Sequence, residues 1–130
     1  MAGYVANIEK ETMANDFFRK VLYTAKHSQL VVMSLKAGEE IGMEVHPNLD
    51  QFIRIEEGEG KAILDGKEHK LADDWAVVIP AGTMHNIVNT SKSKKMKLYT
   101  IYSPPQHAHG TIHRNKAEAD AAEAEEHGKH

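Results

Sequence analysis

Short stretches rich in β-branched and aromatic residues recur along the first 104 residues of the chain. Turn-forming residues separate these stretches, and none shows the three-to-four-residue spacing of apolar positions that is typical of a helix. The predicted strands are 21–24, 30–35, 51–56, 60–64, 68–71, 75–79, 86–89 and 97–102. Their regular succession predicts an all-β antiparallel sandwich or barrel.

The clearest turn in the sequence is the pair Asp65-Gly66, which separates the predicted strand 60–64 from the next one. Asp-Gly is strongly preferred where both central residues of a tight turn need a positive φ angle. The pair therefore predicts a two-residue hairpin with a type I′ turn.

The character of the chain changes after Pro104-Pro105. Residues 106–113 contain Gly and His, and residues 115–126 contain good helix formers but no large apolar side chain. We expect an N-terminal arm over residues 1–14, a β domain over 15–104, and a C-terminal loop and Ala/Glu-rich tail over 105–130. Since the tail has little apolar surface to bury, it is expected to be a short helix or disordered.

Composition narrows the possible partners and the compartment. The chain has 130 residues, enough for one domain, and its net charge of −3 argues against nucleic acid or an anionic membrane as a partner. The N-terminus lacks the basic and apolar regions of a signal peptide, which predicts a cytoplasmic protein. Exposed sheet edges in a small β domain favour a homodimer.

Two separate segments contain candidate ligands for a metal ion. Glu44 and His46 are two residues apart, so on a strand both side chains would leave the same face about 7 Å apart. Gln51 opens the following strand, and His85 follows a Pro-Ala-Gly turn further along the chain. If the two segments are neighbours in one barrel, these four side chains converge inside it.

The four residue types suit one divalent transition metal ion, namely zinc, manganese, iron or nickel. The chain contains no cysteine, so the ligands have to be imidazole, carboxylate or amide groups. Two imidazoles and one carboxylate form a set that leaves coordination positions open for a substrate. The alternative is a metal-free polar interior held by internal hydrogen bonds, but burying these four groups without a metal would leave polar atoms hard to satisfy.

The spacing of the first segment resembles the first conserved motif of the cupin superfamily. Gly38 opens the motif, Glu44 and His46 occupy the places of its two histidines, Gln51 occupies the place of its glutamate, and Gly58 closes it. Glu and Gln have therefore exchanged places, and the carboxylate lies on the other side of His46.

The second segment resembles the second cupin motif more closely. Pro80, Gly82, His85 and Asn89 match it, while Asp74 stands where a glycine is usual. The resemblance covers residues 38–89 and implies a double-stranded β-helix, or jelly-roll barrel, that forms a homodimer. The resemblance implies a metal site similar to that of cupin-type phosphomannose isomerases, with Gln and Glu exchanged. Its ligands would be Glu44, His46, Gln51 and His85.

Three functional hypotheses follow. The first is a metal-dependent enzyme acting on a small oxygenated metabolite, such as a sugar or sugar-phosphate isomerase, in which the ion acts as a Lewis acid. The second is an iron- or manganese-dependent dioxygenase. The third is a non-catalytic module that binds a small molecule. Neither a general base nor a phosphate-binding group is evident from the sequence.

Three further histidines, His107, His109 and His113, lie after the predicted barrel. His107 and His109 are spaced to share one face, which raises the possibility of a second metal site. Because they lie in a Pro- and Gly-containing segment, we favour a solvated loop or lid.

Overall fold

A computed structural model describes residues 2–128 of the chain. The described residues form two helices and nine strands: α1 Ile8–Ala14, β1 Arg19–Thr24, β2 Gln29–Leu35, β3 Asp50–Glu57, β4 Gly60–Leu64, β5 Lys67–Leu71, β6 Ala76–Ile79, β7 His85–Asn89, β8 Met96–Ser103, β9 Ile112–His113 and α2 Lys116–Gly128. Each of the predicted strands is present, with ends shifted by at most two residues. The all-β prediction is therefore confirmed.

The strands form two antiparallel sheets. One sheet has the order β6-β3-β8-β2-β1-β9, and the other has the order β5-β4-β7. The predicted hairpin joins β4 to β5, and the φ angles of Asp65 (48°) and Gly66 (84°) are both positive, as a type I′ turn requires.

The apolar core lies between the two sheets, and its composition changes along the strands. On β3, side chains alternate, so that Gln51, Ile53 and Ile55 are all buried. On β8, Leu98 is followed on the same inward face by Thr100 and Tyr102, which are also buried. One end of the interior is therefore apolar and the other end carries polar groups.

The N-terminal stretch, expected as an arm, contains the helix α1. Asn7 caps this helix, because its side-chain oxygen accepts a hydrogen bond from the Lys10 amide at 3.0 Å. In α1 only Thr12 is buried, so the helix has almost no apolar periodicity that would reveal it in the sequence.

The C-terminal segment returns to the sheet. β9 pairs with β1, which places Arg19 opposite His113, and α2 follows with Ala119 buried against the core. The expected short C-terminal helix is confirmed, and the last two residues of the tail lie outside the described residues. Neither of the two described helices has the length and apolar character needed to cross a membrane.

Candidate metal centre

Glu44, His46 and His85 come together at the polar end of the interior. Their potential ligand atoms all lie within 4.8 Å of one another. The Nε2 atom of His46 lies 3.7 Å from the Oε2 atom of Glu44, and the centroids of the two imidazole rings are 5.2 Å apart. The structure thus brings three of the four predicted ligands into one cluster.

Backbone hydrogen bonds hold the two segments together. The amide of Glu44 donates to the carbonyl of His85, and the amide of His85 donates to the carbonyl of Glu44, both at 2.8 Å. The amide of Gly82 donates to the carbonyl of His46 at 2.9 Å. Glu44 forms only an isolated bridge with His85, and neither Glu44 nor His46 lies in a strand, so the strand expected from their spacing is not formed.

The His85 ring is oriented by its own loop. Its Nδ1 atom lies 2.9 Å from the carbonyl oxygen of Thr83, which can only accept a hydrogen bond, so Nδ1 carries the proton. The Nε2 atom then presents its lone pair to the cluster, as second-shell hydrogen bonds arrange for metal-bound histidines.

Buried polar atoms at the cluster lack hydrogen-bond partners. Within the described residues, the Nε2 atoms of His46 and His85 and the Oε1 atom of Gln51 are buried and unpaired. A polar interior held only by internal hydrogen bonds would pair such atoms. The unpaired atoms are instead the types that a divalent ion uses as ligands, so the donor set fits a metal.

Gln51 completes the predicted set without being part of the three-residue cluster. Its Nε2 atom donates to the hydroxyl of Thr100 at 3.0 Å, which fixes the amide and leaves Oε1 unpaired. In the β3–β8 register Gln51 lies opposite Tyr102, whose ring is 6.0 Å from that of His46. Coordination by Gln51 remains a prediction.

Burial dominates the electrostatics of the cluster. It raises the pKa of Glu44, an effect that Arg19 partly offsets. Burial and the neighbouring His85 lower the pKa of His46 to about 4, so this ring is neutral at neutral pH, the form that binds metal. Burial likewise raises the pKa of Tyr102 to about 12, so its hydroxyl keeps its proton.

A cavity of about 270 Å³ opens beside Glu44 and His46. Arg19 of β1 lines it, as do His107 and His113 from the C-terminal segment. Helix α2 supplies part of the wall through four lining residues: Ala119, Asp120, Ala122 and Glu123. The C-terminal segment therefore forms one side of the cavity.

Three residues of this cavity, Arg19, His107 and His113, were not among the site residues predicted from the sequence. Of the three histidines expected in a solvated loop or lid, only His109 is exposed to solvent. Its Nδ1 atom lies 3.1 Å from the Thr24 hydroxyl. One signal in the sequence was available for Arg19, because it precedes Val21 by two residues and so shares the inward face of β1. No comparable signal marks His107, because its position depends on a long-range return of the chain.

The comparisons with known proteins agree with the motifs. The family model described as Cupin domain matches residues 31–102. The chain is 49% identical over 126 residues to the uncharacterized protein YrkC of Bacillus subtilis (strain 168), covering 92% of this chain and 67% of that protein. It is 50% identical over 113 residues to the uncharacterized protein L612 of Acanthamoeba polyphaga mimivirus, covering 84% and 70% of the two.

A solved structure shows the same fold. The crystal structure of BH2720 from Bacillus halodurans is 48% identical to this chain, with a TM-score of 0.88 over 91% of this chain and 93% of that one. The jelly-roll architecture expected from the two motifs is thereby confirmed. With the family match spanning more than half of its length, the chain belongs to the cupin family as a small, single-domain cupin.

Proposed function

We propose that this cupin is a metal-dependent enzyme that acts on a small oxygenated metabolite. The observation that carries the proposal is the convergence of Glu44, His46 and His85 within 4.8 Å beside a cavity of about 270 Å³. A site of this size accommodates a small molecule next to the candidate ligands.

Glu44, His46 and His85, together with Gln51, would hold one divalent ion. Such an ion, when bound, supplies a Lewis acid that polarises a substrate oxygen. Because Glu44 is the only anionic ligand of the four, the loaded site keeps about one positive charge and favours an anionic or enolisable ligand.

The cavity wall contains carboxylates that can accept a proton. Their presence favours a reaction that begins with proton abstraction from a carbon next to a carbonyl. Asp120 and Glu123 of α2 both line the cavity, and Glu123 is close enough to help raise the pKa of Glu44. A carboxylate at this position is a suitable general base. We therefore favour isomerase-like chemistry and assign Glu123 as the candidate base.

A dioxygenase is the second candidate, and the same ligand set supports it. Two histidines and one carboxylate are the facial arrangement that non-haem iron oxygenases use. Metal identity separates the two: iron as the dominant metal of protein purified without supplementation would favour the dioxygenase, and zinc or manganese the isomerase.

Elemental analysis of purified variants tests the metal site. We expect about one ion per chain in the wild type, and a small fraction of that in His85→Ala and Glu44→Gln, since each removes one of few ligands. The matched control is His69→Ala, because His69 is exposed on β5, and it should keep its metal. Stoichiometric metal in His85→Ala would overturn the assignment.

Turnover is tested on the metal-loaded protein with a panel of hydroxy and oxo compounds. Solvent deuterium appearing at a carbon next to the substrate carbonyl would support the isomerase, and Glu123→Gln should slow that exchange. Oxygen uptake without exchange would support the dioxygenase. Ligand binding with neither reaction would identify a non-catalytic binding module.

A further inference from the structure

Arg19 is the buried arginine of this chain, and its surroundings differ from those of the other two arginines. Arg54 pairs with Glu56 and Asp74, and Arg114 pairs with Glu118. Arg19 is only 7% exposed, yet among the side chains of residues 2–125 it forms no ion pair with a carboxylate. A buried charge without a carboxylate in direct contact is costly, so an anion that accepts hydrogen bonds from this guanidinium would offset part of that cost.

We infer that Arg19 and His107 form a binding subsite for a carboxylate group of the substrate, in the same cavity as the candidate metal centre. This subsite rests on the proposed function, because the candidate metal centre is the second point at which the substrate would be held.

The Arg19 guanidinium is held rigidly in the cavity wall. Its Nη1 atom lies 3.1 Å from Nδ1 of His113, and since arginine can only donate, His113 accepts through Nδ1. The guanidinium carbon also lies 5.3 Å from the centroid of the buried Phe18 ring. These contacts fix the side chain but leave its Nε–H group buried without a partner in the described chain.

His107 provides a second unpaired donor or acceptor in the same wall. Its Nε2 atom is buried and has no hydrogen-bond partner among the described residues. The ring packs edge-on against Tyr102, with centroids 5.2 Å apart, and lies 6.4 Å from the ring of His113. In the tautomer that carries its proton on Nε2, this ring donates to an oxygen of the bound group.

The chemistry of the wall favours a carboxylate over a phosphate. One planar guanidinium offers two parallel N–H groups that match the two oxygens of a carboxylate. Glu44, Asp120 and Glu123 line the same cavity and would repel a dianion more than a monoanion. A ligand whose carboxylate binds Arg19 and whose adjacent oxygen reaches the metal centre is a small 2-hydroxy or 2-oxo acid.

Binding of lactate, followed by NMR titration of the zinc-loaded protein, tests the subsite. Lactamide is the neutral counterpart of lactate, and inorganic phosphate is the competing anion. We expect lactate to bind the wild type, and lactamide and phosphate to bind at least about 10-fold more weakly, because charge-assisted hydrogen bonds are the stronger ones.

Substitution separates Arg19 from general charge effects. Arg19→Gln should weaken lactate binding about 10- to 100-fold, and Arg19→Lys should recover only part of it, because lysine lacks the planar fork. Arg54→Gln is the matched control and should bind lactate as the wild type does. His107→Ala should also weaken lactate binding. Because it leaves the buried guanidinium in place, this variant tests the subsite even if Arg19→Gln does not fold. Lactate binding that is absent in the wild type, unchanged in Arg19→Gln and His107→Ala, or no stronger than that of lactamide or phosphate would overturn the inference.

The same titration on metal-free protein distinguishes this inference from the proposed function. If the protein binds no metal but binds lactate in an Arg19-dependent way, the subsite is supported and the metal-dependent enzyme is contradicted. If the protein binds one metal ion per chain and lactate binding does not depend on Arg19, the subsite is contradicted and the metal site is not.

Discussion

At the scale of single residues, burial keeps two cavity histidines neutral over the range in which an exposed histidine titrates. Burial, followed by Arg19 and the neighbouring histidines, lowers the pKa of His46 to about 4 and that of His107 to about 3. A neutral ring is required for metal binding by His46. The site is therefore prepared for its ligands well below neutral pH.

The stability of the metal-free protein should fall as the pH is lowered from about 6.5 toward 4. The unfolded chain takes up protons on these histidines near pH 6.5, whereas the folded chain does not until its lowered pKa values are reached. Their stabilising effect is thus complete above pH 6.5 and is lost below it, by up to about 1.4 kcal/mol per pH unit for each group. Urea unfolding at pH 7 and pH 5 measures this change.

His107→Gln should show a smaller difference between the two pH values than the wild type, while exposed His69→Gln should show the same difference. A free energy of unfolding that does not change between pH 7 and pH 5 in the wild type would contradict the assignment of buried neutral rings.

At the scale of elements, turns position the candidate ligands. The Asp65 turn between β4 and β5 contacts the residue before His85: the Asp65 amide donates to the Met84 carbonyl at 2.7 Å, and the Asp65 carboxylate accepts from the Met84 amide at 2.9 Å. Asp74 stands where the family has glycine and has a φ angle of 70°, which explains that glycine preference. Turn chemistry that is visible in the sequence thus aims a side chain of the site.

Gly60 at the start of β4 should be the glycine most sensitive to replacement in this sheet. A Cβ atom there would collide with the backbone carbonyl oxygen of Val88 and with the end of the Met96 side chain, and the carbonyl cannot move without breaking the β4–β7 pairing. We expect Gly60→Ala to lower the free energy of unfolding by about 3 kcal/mol, as overpacking does. Chemical denaturation measures the loss.

Gly66→Ala is the control for this experiment. Gly66 has a φ angle of 84° but open space around it, so only backbone strain of about 1 kcal/mol is expected. Equal losses in the two variants would show that packing at Gly60 is not the deciding factor.

At the scale of the whole molecule, the C-terminal strand β9 pairs with β1 at one edge of the larger sheet, and β6 forms the opposite edge. β6 is an edge strand of the larger sheet, and two large apolar side chains remain exposed there: Trp75, just before the strand, at 56%, and Val78, within it, at 65%. Exposed edge strands with apolar side chains are commonly covered by a second copy of the chain.

The expected homodimer is tested by light scattering coupled to size-exclusion chromatography. We predict twice the chain mass of 14.5 kDa for the wild type. Trp75→Glu should shift the protein toward the single-chain mass, because it places a charge on the apolar surface, while Trp75→Phe should remain dimeric. A wild-type mass of one chain would contradict the prediction.

Local patterns were sufficient for the strands and for the type I′ turn at Asp65-Gly66, whereas the convergence of Glu44 and His46 with His85 was expected from the spacing of the two motifs only if their segments are neighbours in one barrel. Strand alternation and turn preference act over a few neighbouring residues, so the amino-acid order alone carries them. The cavity required the tertiary structure, because Arg19 meets His113 across 94 positions of the chain. Such a contact depends on where the C-terminal segment packs after the sheets form, and no local preference encodes that path.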